Sequence, residues 1–97
     1  MKPARVKVEP HSGPSVTLEI SSEETLIGRG LSADVQLTDR GASRDHAMIM
    51  WEGDHFEIED LQTTNGTRLN GKRVRSSALT DGDVIEIGHS RIIFHTD

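Results

Sequence analysis

Apolar and polar residues alternate in short segments along most of the chain. The segment ARVKVE places Val6 and Val8 on one face, and VTLEI places Val16, Leu18 and Ile20 on one face. This period of two matches the side-chain alternation of a β-strand rather than the 3.6-residue period of a helix. Because turn residues interrupt the pattern at short intervals, the sequence predicts an all-β sandwich or barrel.

The second half of the chain contains two predicted hairpins. The segments AMIMW and HFEIED are separated by EGD, and DVIEIG and SRIIFH meet at GHS. Between the early strands, Val35 and Leu37 in DVQL share a face. The stretch SSEETL has the Ser-x-x-Glu spacing of a helix capping box. No apolar helical run follows it, so we interpret it as a loop that enters a strand.

The length of 97 residues suits one domain, assigned to residues 1–97. Aromatic residues make up only 3% of the chain, so its core must be built from Val, Ile and Leu, which favour strands. The pattern continues to Phe94, three residues before the end. We therefore expect a single domain that forms one part of a longer protein.

The formal net charge of −5 disfavours nonspecific binding to nucleic acid or to an anionic membrane. The basic residues between positions 28 and 75 provide a local exception if folding brings their loops together. The chain has no Cys, which excludes disulfides and thiolate chemistry. It also has no apolar run of membrane-spanning length, and the residues MKPARVKVEP lack the apolar run of a signal peptide. We expect a soluble, cytoplasmic protein without a cofactor.

The histidines do not have the spacing of metal ligands, so we expect no metal site; they are His11, His46, His55, His89 and His95. A hydrolase would use Ser43 as nucleophile, His46 as base and Asp45 as orienting acid. Adjacent residues of an extended chain point to opposite faces, and no nucleophile elbow accompanies them. We interpret His46 as a structural residue that ties a loop to backbone groups.

Two Asn-Gly pairs, Asn65-Gly66 and Asn70-Gly71, lie close together in DLQTTNGTRLNG. Asn-Gly is a strong signal for a tight turn with positive φ at both residues. Asn65-Gly66-Thr67 also fits the N-glycosylation pattern, which we discount without a secretory signal.

Several loop residues would form an anion site if their loops converged at one end of a sandwich. Arg29, Ser43, Arg44 and Thr64 would supply two guanidinium groups and two hydroxyls. Arginine matches the geometry of phosphate oxygens. The amide of Asn65 both donates and accepts, which suits a peptide backbone. The pattern therefore favours a site for a tetrahedral dianion on a peptide.

These residues resemble the forkhead-associated (FHA) domain, a phosphothreonine-peptide binding module, from about Leu26 to Phe94. The matching residues are Gly28-Arg29, Asp34 to Leu37, Ser43 to Ala47, Asp60-Leu61, Thr64 to Thr67, Asn70-Gly71, Leu79 and Gly82 to Ile85. Each motif is common by itself, whereas all of them in this order are specific.

The resemblance implies a sandwich of two antiparallel sheets with about eleven short strands and ligand loops at one edge. It assigns phosphate contacts to Arg29, Ser43, Arg44 and Thr64, and the peptide backbone to Asn65. It gives structural support of the site to Gly28, His46, Gly66 and Asn70. Selectivity around the phosphothreonine is assigned to the loop containing Gly41, with Arg40 and Arg68 as candidates for that role.

The function implied is a non-enzymatic reader of phosphothreonine in signalling. Its expected partner is a protein phosphorylated on threonine, or a phosphorylated segment of its own full-length chain, within a Ser/Thr kinase pathway. Neither nucleic acid nor membrane is an expected partner. The alternatives are an assembly module that binds unphosphorylated proteins and, more remotely, a small hydrolase using Ser43 and His46.

Overall fold

The computed structural model describes residues 1–97, and all of its regular elements are strands. In chain order they are β1 (Ala4–Glu9), β2 (Val16–Glu19), β3 (Glu24–Gly28), β4 (Val35–Gln36), β5 (Ala47–Trp51), β6 (Phe56–Asp60), β7 (Thr67–Leu69), β8 (Lys72–Val74), β9 (Ser76–Leu79), β10 (Val84–Ile87) and β11 (Ser90–Thr96). The predicted all-β class is confirmed. In SSEETL, residues 21–23 are a loop that leads into β3, which begins at Glu24. The chain has no helix with the length and apolar character needed to cross a membrane.

The strands form two sheets that enclose one apolar core. The six-stranded sheet has the order β2-β1-β11-β10-β7-β8, and the five-stranded sheet has the order β4-β3-β5-β6-β9. Eighteen buried apolar residues make up the core, and most of them lie on strands of the two sheets. The few aromatic rings pack in series, with Phe56 lying 4.8 Å from Trp51 and 5.3 Å from Phe94 between ring centroids. The rest of the core is aliphatic, as the composition predicted.

One strand pair departs from the expected antiparallel sheets. Strands β3 and β4 are parallel, with Ile27 opposite Val35 and Gly28 opposite Gln36. The reason is a clamp at Asp34, whose N–H donates to the Leu26 carbonyl while its carboxylate accepts from the Leu26 N–H, both at 2.8 Å. The loop between the strands is thus brought back beside β3, and β4 starts in the same direction.

The two Asn-Gly pairs adopt different conformations. Asn70 and Gly71 both have positive φ, of 52° and 88°, and they join β7 to β8 in a tight hairpin closed by Leu69 and Lys72. Gly66 has a φ of 83°, but Asn65 keeps a negative φ. The prediction of positive φ at both residues is therefore right for the second pair and wrong for the first.

Strand β2 is less buried than its alternation predicted. Val16 is 50% exposed and Leu18 is half-buried, whereas Ile20 is buried. The reason is that β2 is an edge strand of the six-stranded sheet. It has a neighbouring strand on one side only, and its first residue, Val16, is left at the surface.

Candidate functional site

Three loops at one end of the sandwich are joined by hydrogen bonds. They are the β3–β4 loop (residues 29–34), the β4–β5 loop (residues 37–46) and the β6–β7 loop (residues 61–66). The first two are linked where the Arg29 N–H donates to the Ser43 carbonyl at 2.9 Å. The first two loops therefore lie close together, as the sequence predicted.

Gly28 allows the first two loops to approach this closely. It is buried at the end of β3, and a methyl group on its Cα would overlap the carbonyl oxygen of Arg44. Two residues further on, the Gly30 N–H donates a hydrogen bond to the same Arg44 carbonyl at 3.1 Å. Any side chain at position 28 would push the segment carrying Ser43 and Arg44 away from Arg29.

His46 connects the second loop to the third. The N–H of Ser43 donates to its Nδ1 at 2.9 Å, and its Nε2 donates to the Gly66 carbonyl at 2.9 Å. The ring is fully buried. Since Nδ1 accepts a hydrogen bond from an N–H while Nε2 donates one to a carbonyl, the hydrogen bonds fit the neutral Nε2–H tautomer of the ring. With both nitrogens engaged by backbone groups, His46 is not available to take a proton from the Ser43 hydroxyl.

Asp60 organises the start of the third loop. Its Oδ1 accepts hydrogen bonds from the hydroxyls of Thr63 at 2.7 Å and Thr67 at 2.8 Å, and its Oδ2 accepts from the Thr63 N–H at 3.0 Å. The Thr63 hydroxyl also accepts from the Gly66 N–H at 3.0 Å. Burial raises the pKa of Asp60, but these donors outweigh burial, so its pKa lies below the ordinary value.

We predict that the Asp60→Asn variant is less stable than the wild type at neutral pH by about 1–3 kcal/mol, because the amide cannot accept all three hydrogen bonds. A carboxyl with a lowered folded-state pKa stabilises the fold above its unfolded pKa of about 3.9 and loses that contribution as the pH falls through its folded-state pKa. The difference between wild type and variant should therefore shrink below about pH 4. Urea unfolding from pH 6 to pH 2.5 measures both effects.

The exposed Asp45, which forms no side-chain hydrogen bond, provides the control as Asp45→Asn. A difference between the Asp60→Asn variant and the wild type that stays constant down to pH 2.5 would contradict an anchoring role for the ionised carboxylate.

The second loop is also anchored to the turn between β10 and β11. The Asp39 carboxylate accepts from the N–H groups of Gly41 at 2.7 Å and His89 at 2.8 Å, and from the Ser90 hydroxyl at 3.0 Å. Burial raises the pKa of Asp39. The hydrogen bonds from the two N–H groups and this hydroxyl lower the pKa by more, so it lies below its ordinary value. A Cβ at Gly41 would lie 2.9 Å from the Cα of Gly88, so the absence of a side chain at Gly41 has a packing reason.

The five candidate ligand residues lie on these three loops, at the same end of the sandwich. Arg29, Arg44, Thr64 and Asn65 are exposed, and Ser43 is half-buried. The Arg29 Nε donates to the Ala42 carbonyl at 3.1 Å, which holds the side chain along the second loop and leaves its two terminal nitrogens without a partner.

A concavity of about 500 Å³ lies beside Arg29 and Arg44, and it is also lined by Gly30, Leu31, Ser32 and Asp45. Neither arginine forms an ion pair with a carboxylate. Two guanidinium groups that form no ion pair therefore lie next to a hollow of the size of a few side chains.

Asn65 links the third loop to the second. Its Nδ2 donates to the Gly41 carbonyl at 3.1 Å, which leaves its side-chain oxygen free to accept from a ligand. Both Asn65 and Thr64 are exposed on this loop.

Three residues considered in the sequence analysis lie differently with respect to this site. Arg40 is exposed on the second loop. Arg68 lies on β7 and its Nε is 3.9 Å from Glu86 Oε1, so its charge is partly matched within the sheet. Asn70 bonds to Val84 at the start of β10 and to Asp83 just before it, not to the three loops, so any support it gives the site is indirect.

Sequence reasoning missed the anchoring roles of Asp39, Asp60 and Thr63. Both aspartates carry a local signal, because the Asp39 carboxylate accepts from the N–H of Gly41 two residues on, as in an Asx turn, and the Asp60 carboxylate accepts from the N–H of Thr63 three residues on. Asp39 bonds to residues about fifty positions away in the sequence, which no local pattern reveals.

Comparison with known proteins places the chain in a family of binding and regulatory modules. The family model for the FHA domain matches residues 25–88. The chain is 41% identical over 88 residues to the FHA domain-containing protein FhaA of Mycobacterium tuberculosis, covering 91% of this chain and 17% of FhaA. It is 38% identical to the oxoglutarate dehydrogenase inhibitor of Corynebacterium jeikeium, covering 92% of this chain and 60% of the inhibitor.

A solved structure from work on phosphothreonine-dependent FHA domain interactions superposes with a TM-score of 0.87 at 38% identity, covering 98% of this chain and 97% of that one. The chain belongs to the FHA domain family, as the sequence resemblance indicated. It spans between about one sixth and three fifths of the length of the two curated relatives named above.

Proposed function

We propose that this FHA domain binds phosphothreonine in a peptide segment of a partner protein, or of its own longer polypeptide, as a non-enzymatic step in phosphorylation-dependent signalling. The observation that carries the proposal is that hydrogen bonds join three loops, which carry two arginines without ion pairs, Arg29 and Arg44, and the hydroxyl residues Ser43 and Thr64. The similarity to a structure studied for phosphothreonine-dependent interactions supports it.

In the proposed complex, Arg29 and Arg44 bind the phosphate oxygens through charge-assisted hydrogen bonds, and the two hydroxyls complete the coordination. Such bonds contribute about 1.5–3 kcal/mol each, so four or five give roughly 6–15 kcal/mol before association costs of at least about 4 kcal/mol. A net value near ~8 kcal/mol corresponds to a micromolar dissociation constant. This affinity suits a reversible interaction.

Asn65 holds the peptide main chain in this proposal. Its Nδ2 is already bound to Gly41, so its orientation is set before the ligand arrives. The free Oδ1 then accepts a peptide N–H. Since the loop is held by Asp60, Thr63 and His46, little conformational entropy is lost on binding.

An assembly module that binds unphosphorylated proteins is the second candidate. The exposed Leu31, with 93% of its surface accessible beside the concavity, is the observation that favours it. The two unpaired arginines favour the phosphopeptide instead, because burying them against a neutral surface would leave both charges uncompensated.

Three peptides of one sequence, carrying threonine, phosphothreonine or phosphoserine at the central position, test the proposal by isothermal titration calorimetry. We expect micromolar binding of the phosphothreonine peptide and no measurable binding of the plain peptide. The phosphoserine peptide should bind more weakly, because the γ-methyl of threonine adds at least about 0.8 kcal/mol if it is buried. Equal affinity for the plain and phosphorylated peptides would favour the assembly module.

A further inference from the structure

A row of charged side chains crosses the outer face of the six-stranded sheet. Directly opposed residues share a face of a sheet, and the register places Arg73, Arg68, Glu86, Arg91 and Glu9 opposite one another on successive strands. Ion pairs join Arg68 to Glu86 at 3.9 Å and Arg91 to Glu9 at 3.5 Å. The row therefore alternates in charge except at one end.

At that end, Arg73 on β8 lies directly opposite Arg68 on β7. Like charges in directly opposed positions destabilise a strand pair. Arg73 also has no ion pair of its own, unlike Arg68 and Arg91. Arg73, on the edge strand β8, is therefore a cation that forms no ion pair within the sheet.

The guanidinium of Arg73 contacts the β6–β7 loop instead. Its Nη2 donates to the Thr64 carbonyl at 3.3 Å. The guanidinium group also packs against Gly66, since a Cβ built on Gly66 would lie 2.5 Å from Arg73 Nε. Arg73 is therefore in contact with the loop that carries Thr64 and Asn65, while its side chain remains exposed and its Nη1 has no partner.

We infer that Arg73 selects phosphopeptides that carry an acidic side chain close to the phosphothreonine. The inference rests on the proposed function, in which Thr64 contacts the phosphate and Asn65 the peptide main chain. An extended peptide advances about 3.3 Å per residue, so a carboxylate within about three residues of the phosphothreonine can reach a guanidinium next to this loop. A carboxylate also matches the fork geometry of arginine.

This assignment changes which arginine sets the selectivity. Arg68 is compensated by Glu86, so it has less to gain from a ligand carboxylate. Arg73 has no such compensation and lies closer in the fold to the candidate ligand residues. From the sequence, Arg73 was only one of the basic residues between positions 28 and 75, and the arginine candidates for selectivity were Arg40 and Arg68.

A positional series of phosphothreonine peptides tests the inference. The parent peptide has alanine at all flanking positions, and each of the others has one aspartate between four residues before and four residues after the phosphothreonine. Affinities are measured for the wild type, Arg73→Gln and the matched control Arg68→Gln, which removes a charge from the opposing position of the same hairpin. Thermal melting confirms that each variant is folded.

We expect at least one aspartate position to improve binding to the wild type by about three- to ten-fold over the parent peptide. The Arg73→Gln variant should bind that peptide and the parent within about two-fold of each other, whereas the Arg68→Gln variant should keep the preference. An Arg73→Lys variant should retain part of it, because the charge remains and the fork is lost.

Three results would overturn the inference. If the parent binds but no aspartate position is preferred, the selectivity is absent and the proposed function stands. If Arg73→Gln weakens all the peptides by one factor, Arg73 only braces the loop. If the wild type does not bind the parent phosphopeptide at all, both the proposed function and this inference fail.

Discussion

The Arg29→Ala variant is expected to lose phosphopeptide binding by at least about 100-fold while it keeps its fold. A guanidinium that donates two charge-assisted hydrogen bonds to a phosphate contributes roughly 3–5 kcal/mol. The structural cost is small, because Arg29 is exposed and its side chain makes only one donated bond, to the Ala42 carbonyl. The main-chain bond from Arg29 to Ser43 does not depend on the side chain. Calorimetric titration and far-UV circular dichroism measure the two quantities.

Arg75→Ala is the matched control for this variant. Arg75 is also exposed and forms no ion pair, and its main-chain carbonyl accepts from the N–H of Asp60 at the end of β6, a bond that does not depend on its side chain. The control therefore removes the same charge without removing a proposed phosphate ligand. If Arg29→Ala and Arg75→Ala weaken binding equally, the effect is one of net charge and Arg29 is not a phosphate ligand.

The His46→Ala variant is expected to lose about 2–5 kcal/mol of unfolding free energy. Removing the ring leaves the Ser43 N–H and the Gly66 carbonyl without partners in a buried position, at about 1–3 kcal/mol each, and it also leaves a cavity. For a domain of this size, each kilocalorie corresponds to about 4–8 °C in melting temperature. Since native domains have only about 5–15 kcal/mol to lose, this single change brings the fold close to its limit. Urea and thermal unfolding measure the loss.

His55→Ala controls for the loss of an imidazole. The hydrogen bonds of Glu57 and then of Asp54 raise the pKa of His55, but all three groups lie at the surface. Its removal should change the melting temperature far less than that of His46. A His46→Ala protein that melts like the wild type and yet binds no peptide would assign His46 to the ligand instead of the scaffold.

Local sequence patterns predicted the strands because each one carries its own evidence. The alternation in ARVKVE is reproduced by the buried Val6 and Val8, and the Asn70-Gly71 pair closes the hairpin between β7 and β8. Such features depend on residues within a few positions of one another. Propensity and turn geometry are therefore sufficient to find them.

The same local reasoning was wrong at Asn65-Gly66. There the chain does not close a hairpin but connects one sheet to the other, and its conformation is set by contacts with distant residues. The Asn65 side chain bonds to Gly41, and the Gly66 carbonyl accepts from His46. Tertiary hydrogen bonds thus replaced the turn that the dipeptide would adopt by itself.

The amino-acid sequence by itself determined the all-β class, the positions of most strands and the set of residues with the chemistry to bind a phosphate. Only the tertiary structure decided that β3 and β4 run parallel, that Asp39 and Asp60 anchor the loops, and that the Arg73 side chain packs against Gly66. The physical reason is the range of the interactions. Strand and turn preferences arise between neighbours in the chain, whereas the hydrogen bonds that join the loops connect residues up to about fifty positions apart and form only once both sheets are packed.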